Sequence, residues 1–429
     1  MDKLLTLTEV ADMLSVSKET LRRWDKNGKL KPVRLPSSHR RYSKESLRQF
    51  ETARFLFDTV IENRNDYIPL KEYSVLELFA GCGGLALGLE KAGLKCKLLN
   101  EIDHWACETL RTNRPGWNVI EGDVSRISFA EYRGKIDVVT GGFPCQAFSY
   151  AGKKLGLEDT RGTLFYEFAR TVKEVQPLIC VGENVRGLLS HENGNTLSNM
   201  IAVLDELGYD VLPPQVLKAI FHDVPQKRER LILVGIRRES GIKFEYPKPK
   251  TTIHTVRDAL KAGKLFDTDV SDSDGQSYPK RKKEIMEMVP PGGYWRDLPL
   301  DVQKEYMLKS YYLGGGKTGM ARRMSWDEPC LTLTTSPAQK QTERCHPDET
   351  RPFTTREYAR IQTFSDDWHF KGSTGQVYKQ IGNAVPVNLA QAIGKQLVKA
   401  LNEYYVREEL EHRVHELQAK TENIAIEVV

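Results

Sequence analysis

Runs of apolar residues, each bounded by glycine or polar residues, divide much of the chain into predicted strands and helices. Residues 73–95, YSVLELFAGCGGLALGLEKAGLK, have the pattern of a buried strand, a glycine-rich turn and a helix. Further buried strands are predicted within KIDVVT (135–140), VQPLICVGENVRGLL (175–189) and DVPQKRERLILVGI (223–236). Alternating strands and helices favour an α/β fold built on a doubly wound, Rossmann-like sheet.

The first seventy residues predict two short helices joined by a tight turn. Thr6 and Glu9 have capping-box spacing at the start of the first helix. Ser17 is placed to cap the second helix, which Gly28 ends. The basic segment LPSSHRRYS (35–43) is predicted to form a hairpin wing. Together these signals predict a mainly α, winged helix-turn-helix domain.

Positive charge is concentrated in this N-terminal segment. Between Lys18 and Arg48 there are eleven basic and three acidic residues, although the net charge of the chain is only +5. Arg22 and Arg23 lie on the second helix, which enters the major groove in helix-turn-helix proteins. We therefore expect this domain to bind DNA. It either reads a sequence of its own as an autonomous domain or adds only non-specific affinity through phosphate contacts.

Composition narrows the class of protein. The 429 residues are 40% hydrophobic and 28% charged, which is ordinary for a soluble protein of two or three domains. No apolar run approaches the roughly 20 residues that span a bilayer, and the N-terminus lacks signal-peptide features. Seven cysteines without framework spacing indicate reduced thiols. These features predict a cytoplasmic protein without membrane contact.

The glycine-rich turn predicts a site for an adenosine-like ligand. Gly81, Gly83 and Ala86 match the G-x-G-x-x-[GA] pattern, and Glu101 follows about 20 residues later, where it can accept hydrogen bonds from ribose hydroxyls. Asp123 ends another predicted strand and suits an adenine amino group. Taken alone, these residues fit an NAD-dependent dehydrogenase as well as other adenosine-binding enzymes.

A thiol, a carboxyl group and two guanidinium groups follow or precede other predicted strands. Cys145 lies in the loop GGFPCQAFS (141–149), Glu183 ends the next strand, and Arg228 and Arg230 come just before another. Because the carboxyl ends of the strands converge at one edge of a parallel doubly wound sheet, these groups are expected around one pocket. Beside an adenosine site they suggest methylation of cytosine carbon 5, activated by addition of a thiolate to carbon 6.

Nine sequence blocks within residues 73–400 resemble, in order, those of the DNA cytosine carbon-5 methyltransferase family. They are LELFAGCGGLALG, NEIDHWA, GDV, GGFPCQAFS, LEDTRGTLFYEFAR, GENV, QKRERLILVGI, RPFTTREYARIQTF and YKQIGNAVPVNLAQAIG. The N-terminal segments LTEVADMLSVSKETLRRWDKNGKLKP and HRRYS are similar to the winged helix-turn-helix of MerR and excisionase proteins. The resemblance implies a methyltransferase sheet with a smaller, irregular target-recognition lobe.

The same resemblance implies roles for individual residues. Catalysis is assigned to Cys145, Glu183, Arg228 and Arg230. S-adenosylmethionine is the implied cofactor, surrounded by Phe79, Gly81, Gly84, Glu101, Ile102, Asp123, Pro144, Leu164, Asn383 and Val385.

Double-stranded DNA is the implied partner. A loop at 149–162 would close over it, with Ser149, Lys153 and Arg161 near the backbone. Arg22 and Arg23, together with Arg322 and Arg323 in the variable lobe, are further predicted DNA contacts. No metal site and no obligate protein partner are expected. The enzyme is predicted to act as a monomer in the bacterial cytoplasm, associated with the nucleoid through DNA.

These assignments predict an order of domains. The helix-turn-helix domain occupies 1–62, a linker 63–72, the catalytic domain 73–244 and 346–404, the target-recognition region 245–345 and a helical tail 405–429. The combined expectation is the protective DNA methylase of a restriction–modification system. A tRNA cytosine-5 methyltransferase of the same fold and a transcription regulator with an inactive methylase domain remain as alternatives.

Overall fold

The computed structural model describes residues 4–14, 16–34, 40–57, 64–144 and 163–427. In the N-terminal domain, helices α1 (Leu7–Leu14) and α2 (Lys18–Lys26) pack with a small antiparallel sheet. Its strands are β1 (Leu5–Thr6), β2 (Val33–Arg34) and β3 (Arg40–Tyr42), in the order β1-β3-β2.

The predicted helix caps of this domain are confirmed. The amide of Thr6 donates to Glu9 Oε2 at 2.6 Å, and the amide of Glu9 donates to Thr6 Oγ1 at 3.1 Å. Ser17 Oγ accepts the amide hydrogen of Thr20 at 3.0 Å. These bonds satisfy amide groups that the first turn of a helix leaves without partners.

The described residues of the catalytic domain contain a central sheet of eight strands. They are β4 (Ser74–Leu78), β5 (Lys95–Glu101), β6 (Val119–Glu121), β7 (Val138–Gly141), β8 (Ile179–Val185), β9 (Tyr209–Val211), β10 (Gln215–Lys218) and β12 (Glu229–Arg237). The order is β10-β12-β8-β7-β4-β5-β6, and β9 pairs with β12. Strands β6, β5, β4, β7 and β8 are parallel, whereas β12 runs antiparallel to β8. The predicted α/β class is confirmed.

Helices cover both faces of the sheet, as expected for parallel strands that are buried on two sides. They are α3 (Gly84–Lys91), α4 (His104–Asn113), α5 (Leu164–Val175), α6 (Asn195–Glu206), α10 (Thr355–Ile361), α11 (Thr374–Asn383) and α12 (Val387–Glu427). One core contains residues of α3, α10, α11 and α12, and a second contains residues of α5 and α6. A Cβ at Gly88 would lie 2.3 Å from Ala390 Cβ, so only glycine permits the close approach of α3 and α12.

The C-terminal helix α12 extends the helical tail beyond the part that packs on the catalytic domain. Leu397 and Leu401 are buried, but the same helix continues past the domain, where Val406 and Leu410 are 44% and 56% exposed. Tyr405 marks the change, because its hydroxyl still donates to Asp137 Oδ1. Among the described residues, no helix is both long and apolar enough to cross a membrane.

The N-terminal domain shares its core with the catalytic domain. Ile220 and Phe221, which follow β10, are 3% and 5% exposed and belong to the same apolar cluster as Leu14 and Leu21. The rings of Phe55 and Phe221 lie 5.2 Å apart between centroids. Separation of the two domains would therefore expose apolar surface on both sides.

The variable lobe has a small core of its own, which extends from Tyr278 to Cys345. Its helices are α8 (Lys280–Glu287) and α9 (Leu300–Met307), whereas α7 (Val256–Leu260) packs into the core of the catalytic domain. Strands β11 (Gln226–Lys227) and β13 (Cys330–Leu331) form a short parallel pair that joins the lobe to the arginine-rich segment.

Arg323 organises this lobe from within, which corrects its prediction as a DNA contact. It is 4% exposed, and its Nε donates to the carbonyl oxygen of Val289 at 2.7 Å. Its Nη2 donates to the carbonyl oxygen of Met286 at 2.7 Å and to Thr350 Oγ1 at 2.9 Å, and its Nη1 to the carbonyl oxygen of His346 at 3.3 Å. The guanidinium therefore satisfies loop carbonyls that water cannot reach. Neighbouring Arg322 is only partly buried.

We predict that Arg323→Gln lowers the free energy of unfolding, because each buried carbonyl left without a donor costs about 1–3 kcal/mol. Chemical denaturation followed by fluorescence measures the change. Arg22→Gln, on the exposed face of α2, is the control and is expected to leave stability within about 0.5 kcal/mol of the wild type. Equal stability of the two variants would contradict the role assigned to Arg323.

Candidate active site

The carboxyl ends of β7 and β8 place the loop before Cys145 beside Glu183. Gly141 and Gly182 are paired in register, so the residues that follow them emerge at the same edge of the sheet. A Cβ at Gly142 would lie 3.0 Å from Glu183 Oε2. Nδ2 of Asn184 donates to the carbonyl oxygen of Phe143 at 2.8 Å and fixes the loop there.

Four of the predicted site residues lie outside the described residues: Cys145, Ser149, Lys153 and Arg161. Pro144 is the last described residue before them and is exposed. The described part of the loop thus ends one residue before the predicted nucleophile.

Glu183 and Arg230 form an ion pair at this edge. Nε of Arg230 lies 2.5 Å from Oε1 of Glu183, and the two side chains are only 10% and 13% exposed. Antiparallel pairing explains the contact, because Arg230 is in register with Val185 and Ile232 with Glu183. A carboxylate and a guanidinium held together here present an acceptor and donors to one planar, polar ligand.

Arg228 lies close by, but its guanidinium donates hydrogen bonds to backbone carbonyl groups. It is 2% exposed, its Nη1 donates to the carbonyl oxygen of Leu333 at 3.1 Å, and its Nη2 to that of Gly382 at 2.9 Å. Burial lowers the pKa of its guanidinium, and the nearby charge of Arg230 lowers this pKa further. The structure therefore places Arg228 between the lobe and the end of α11, without a contact to Glu183 among its hydrogen bonds.

The glycine-rich turn has the backbone geometry of a ligand cradle. Phe79, Gly81 and Gly83 all have positive φ angles, of 57°, 53° and 86°. A Cβ at Gly81 would meet nothing within 4 Å, so open space lies beside it. Gly84 instead serves packing, since a Cβ there would lie 2.3 Å from the carbonyl oxygen of Val385.

Glu101 holds this turn together with the start of α4. Its Oε2 accepts the amide hydrogen of Gly81 at 2.7 Å. Its Oε1 accepts the amide hydrogens of Ile102 and Asp103, both at 2.8 Å. The predicted spacing of about 20 residues between Gly81 and Glu101 thus corresponds to a direct contact.

The other predicted cofactor residues surround the same end of the sheet in different environments. Ile102 is 69% exposed, which leaves an apolar surface beside Glu101. Asp123 Oδ1 accepts hydrogen bonds from the amide and the hydroxyl of Ser125 at 2.9 and 2.8 Å, and these bonds lower the pKa of the carboxyl group. Leu164 is partly buried at the start of α5, and Asn383 is exposed at the end of α11.

Sequence reasoning missed a buried carboxyl group between the two halves of the site. Glu77 in β4 is in register with Thr140 in β7, and the two residues are 2% and 0% exposed. Neither Glu77 Oε2 nor Thr140 Oγ1 has a hydrogen-bond partner among the described residues. Burial raises the pKa of Glu77 well above its ordinary value, the Ala86 amide lowers it, and the charges of Glu101 and Glu183 raise it. An acidic residue within the otherwise apolar VLEL strand was the available signal.

The predicted DNA-binding helix is exposed. Arg22 and Arg23 face solvent, and Arg22 pairs with Glu19 at 2.9 Å. Asp25 ties this helix to β2 and β3 through ion pairs with Arg34 at 2.9 Å and Arg40 at 2.8 Å. Residues 35–39 of the predicted wing lie outside the described residues.

One histidine and two glutamates form a cluster between α4 and the end of β6. Atoms of His104, Glu108 and Glu121 lie within 4.8 Å of one another. Arg111 ion-pairs with both carboxylates, at 2.9 Å to Glu108 and 2.7 Å to Glu121. The guanidinium therefore already supplies the counter-charge that a metal would provide.

Comparison with known proteins identifies both parts of the chain. Residues 73–399 match the family of C-5 cytosine-specific DNA methylases, and residues 4–54 match a helix-turn-helix domain. The chain is 64% identical to the Type II methyltransferase M.Eco47II of Escherichia coli, over 92% of this chain and 96% of that protein. It is 60% identical to the Type II methyltransferase M.PspPI of a Psychrobacter strain, over 92% and 95% of the two chains.

A solved structure gives the same result. A prophage-encoded DNA modification methyltransferase of E. coli superposes with a TM-score of 0.55 at 27% identity, over 77% of this chain and all of that one. Together with the ordered sequence blocks, these similarities establish the family. The chain belongs to the C-5 cytosine-specific DNA methylases and is a DNA cytosine methyltransferase with an N-terminal helix-turn-helix domain.

Proposed function

We propose that this enzyme methylates carbon 5 of a cytosine flipped out of duplex DNA, through a transient covalent bond to Cys145. The observation that carries the proposal is the buried Glu183–Arg230 pair beside the Pro144 loop. Cytosine has a ring nitrogen and an amino group on one edge and a carbonyl oxygen beside them, which suit a carboxyl group and a guanidinium. The target atom cannot be reached within a duplex, so the base must leave the stack.

In this mechanism Cys145 attacks carbon 6 of the base as a thiolate, so that a carbon–sulfur bond forms and carbon 5 becomes nucleophilic. Glu183 shares a proton with N3 and accepts a hydrogen bond from the 4-amino group, and Arg230 donates to the 2-oxo group, where negative charge develops. Carbon 5 would then take the methyl group as the bond between this group and the sulfur of its donor breaks. Loss of the carbon 5 proton restores the double bond as the thiolate leaves.

Arg228 acts as a positioning residue in this scheme. Its bonds to the carbonyl oxygens of Leu333 and Gly382 connect the segment after β13 with the end of α11. Strand β13 pairs with β11, which directly precedes Arg228 and the strand that carries Arg230. Asn184 has a similar task on the other side, since its bond to Phe143 orients the loop that leads to Cys145.

S-adenosylmethionine is the proposed methyl donor, and when bound it supplies an electrophilic methyl group. The open cradle at Gly81 fits a ligand that approaches the backbone closely. Glu101 keeps acceptor capacity for ribose hydroxyls beside Gly81. Ile102 offers an apolar surface for the adenine ring, and Asp123 an acceptor for its amino group. Leu164, Asn383, Val385 and Pro144 complete the proposed binding site.

We further propose that the enzyme is the protective methylase of a restriction–modification system and acts as a monomer. The relatives at 64% and 60% identity are named Type II methyltransferases, which supports this setting and favours DNA over tRNA as the substrate. The presence of Glu183, Arg230 and Glu101 in a folded site argues against an inactive methylase domain.

Cys145→Ser is predicted to abolish methyl transfer to duplex DNA while leaving cofactor affinity within about twofold, because an alcohol is a far poorer nucleophile than a thiolate. Transfer of a radiolabelled methyl group measures the effect. Cys96→Ala is the matched control, since this buried thiol lies at the opposite, amino end of β5. Normal turnover by the serine variant would exclude the covalent mechanism.

Glu101→Ala is predicted to weaken binding of S-adenosylmethionine by about 1–3 kcal/mol, because the Gly81 turn loses its anchor and the ribose loses an acceptor. Titration calorimetry measures the affinity, and Glu108→Ala, on the exposed side of α4, is the control. Unchanged affinity in the Glu101 variant would refute the assignment. Tight NAD binding by the wild type would favour the dehydrogenase alternative instead.

A further inference from the structure

The N-terminal domain contacts both the target-recognition region and the catalytic domain beside the proposed base-binding edge. Nζ of Lys18 lies 2.6 Å from Oε1 of Glu328, which also accepts the hydroxyl of Thr8 at 3.3 Å. Nζ of Lys227, in the arginine-rich segment, lies 3.0 Å from Oδ1 of Asp12. These contacts, with the shared core at Phe221, hold the helix-turn-helix domain in one place.

A cavity of about 460 Å³ lies at this junction. The N-terminal domain contributes Ala11, Asp12 and Val16 to its wall, and the rest comes from the ends of β8 and β10, from β11 and the start of β12, and from the residue after β13. Five of its lining residues are basic: Arg186, Lys218, Lys227, Arg228 and Arg230. Only Asp12 and Glu229 are acidic, so the wall has an excess of positive charge.

Asp12 is the acceptor on which two of these basic side chains converge. Lys227 pairs with its carboxylate, and Nζ of Lys218 donates to its carbonyl oxygen at 3.1 Å. Oδ2 of Asp12 is buried and has no hydrogen-bond partner among the described residues. Burial raises the pKa of Asp12, although Lys227 lowers it, and burial lowers the pKa of Lys218. The carboxylate of Asp12 therefore pairs with Lys227 through one of its two oxygens.

The other acid of the wall is already paired with a cation. Oε2 of Glu229 accepts from Nη1 of Arg186 at 2.9 Å. Arg228 is bound to backbone carbonyls and Arg230 to Glu183, whereas Lys227 pairs with the carboxylate of Asp12 and Lys218 donates to its carbonyl oxygen. An anion that entered the cavity would meet these two ammonium groups.

The cavity adjoins the Glu183–Arg230 pair. Arg230 belongs to its wall, and Val185, which is in register with Arg230, lies between the cavity and Glu183. A nucleotide whose base reaches Glu183 carries a phosphate on each side of its sugar. The strand that supplies the base must therefore bring a phosphate close to this basic wall.

We propose that Lys218 and Lys227 bind a backbone phosphate of the DNA strand that carries the target base, and that Asp12 of the N-terminal domain is the internal counter-charge which this phosphate replaces. The inference rests on the proposed function, because it assumes that DNA enters at the Glu183 edge. It assigns the N-terminal domain a part in substrate binding that does not depend on sequence reading by α2.

The test measures the affinity of the full-length protein for a duplex that contains its methylation site, as a function of salt concentration. Loss of one phosphate contact lowers the slope of log K against log salt by about 0.9, which corresponds to about eightfold weaker binding at 0.1 M salt. Lys218→Gln and Lys227→Gln are each expected to show this loss. Asp12→Asn is expected to bind DNA more tightly than the wild type. Lys95→Gln, at the far amino end of β5, is the control and should match the wild type.

Thermal unfolding of each variant verifies that it is folded, and the two lysine variants keep the test decisive if Asp12→Asn is unstable. Slopes equal to that of the control for both lysine variants would overturn the phosphate site. Weaker DNA binding by folded Asp12→Asn would overturn the role of Asp12 as a counter-charge. Its ion pair with Lys227 would then serve only to hold the two domains together. Failure of the wild type to bind or methylate any duplex would instead refute the proposed function.

Discussion

The contact between Glu183 and Arg230 depends on the direction of one strand. In a parallel sheet the carboxyl ends of the strands share an edge, and Glu183 reaches this edge at the end of β8. Strand β12 runs the opposite way, so its beginning, not its end, lies there. Arg230, at the second position of β12, is thereby brought to 2.5 Å from the carboxylate. A parallel β12 would carry the arginine to the opposite edge of the sheet.

Several ionisable groups around this pair are buried. Burial of such a group raises the free energy of the folded state unless the group has hydrogen-bond or ionic partners. Arg228 and Arg323 meet this requirement with backbone carbonyls. Glu77 meets it differently, because burial favours its protonated form and so avoids a buried negative charge between Glu101 and Glu183. The sheet edge therefore has a carboxyl group with a raised pKa buried beneath Glu101 and Glu183.

Local patterns in the sequence were sufficient for the parts of the fold that depend on neighbouring residues. The capping box of Thr6 and Glu9 and the glycine turn at Gly81 are both present as predicted, because a few adjacent residues determine them. The meeting of Glu183 with Arg230 was predicted, but a purely parallel sheet does not explain it, because Arg230 lies at the beginning of the antiparallel strand β12.

Contacts between distant segments could not be read in the same way. Nothing near Ile220 and Phe221 indicates that they complete the core of a domain some 200 residues earlier in the chain. Arg323 stands beside Arg322 in a basic stretch typical of a DNA-binding surface, yet folding of the 286–350 region encloses its guanidinium. A single sequence shows the charge of such a residue but not which side of the lobe becomes its interior.

The central claim is that this edge of the sheet holds cytosine while Cys145 bonds to it, and a trapping experiment tests it most directly. A duplex with 5-fluorocytosine at the methylated position is incubated with the enzyme and S-adenosylmethionine, and the products are digested and analysed by mass spectrometry. Fluorine cannot leave carbon 5 as a proton does, so the account predicts a stable adduct between the methylated base and the peptide that contains Cys145. Methylation of the ordinary duplex without any adduct on the fluorinated one, or an adduct on another residue, would contradict it.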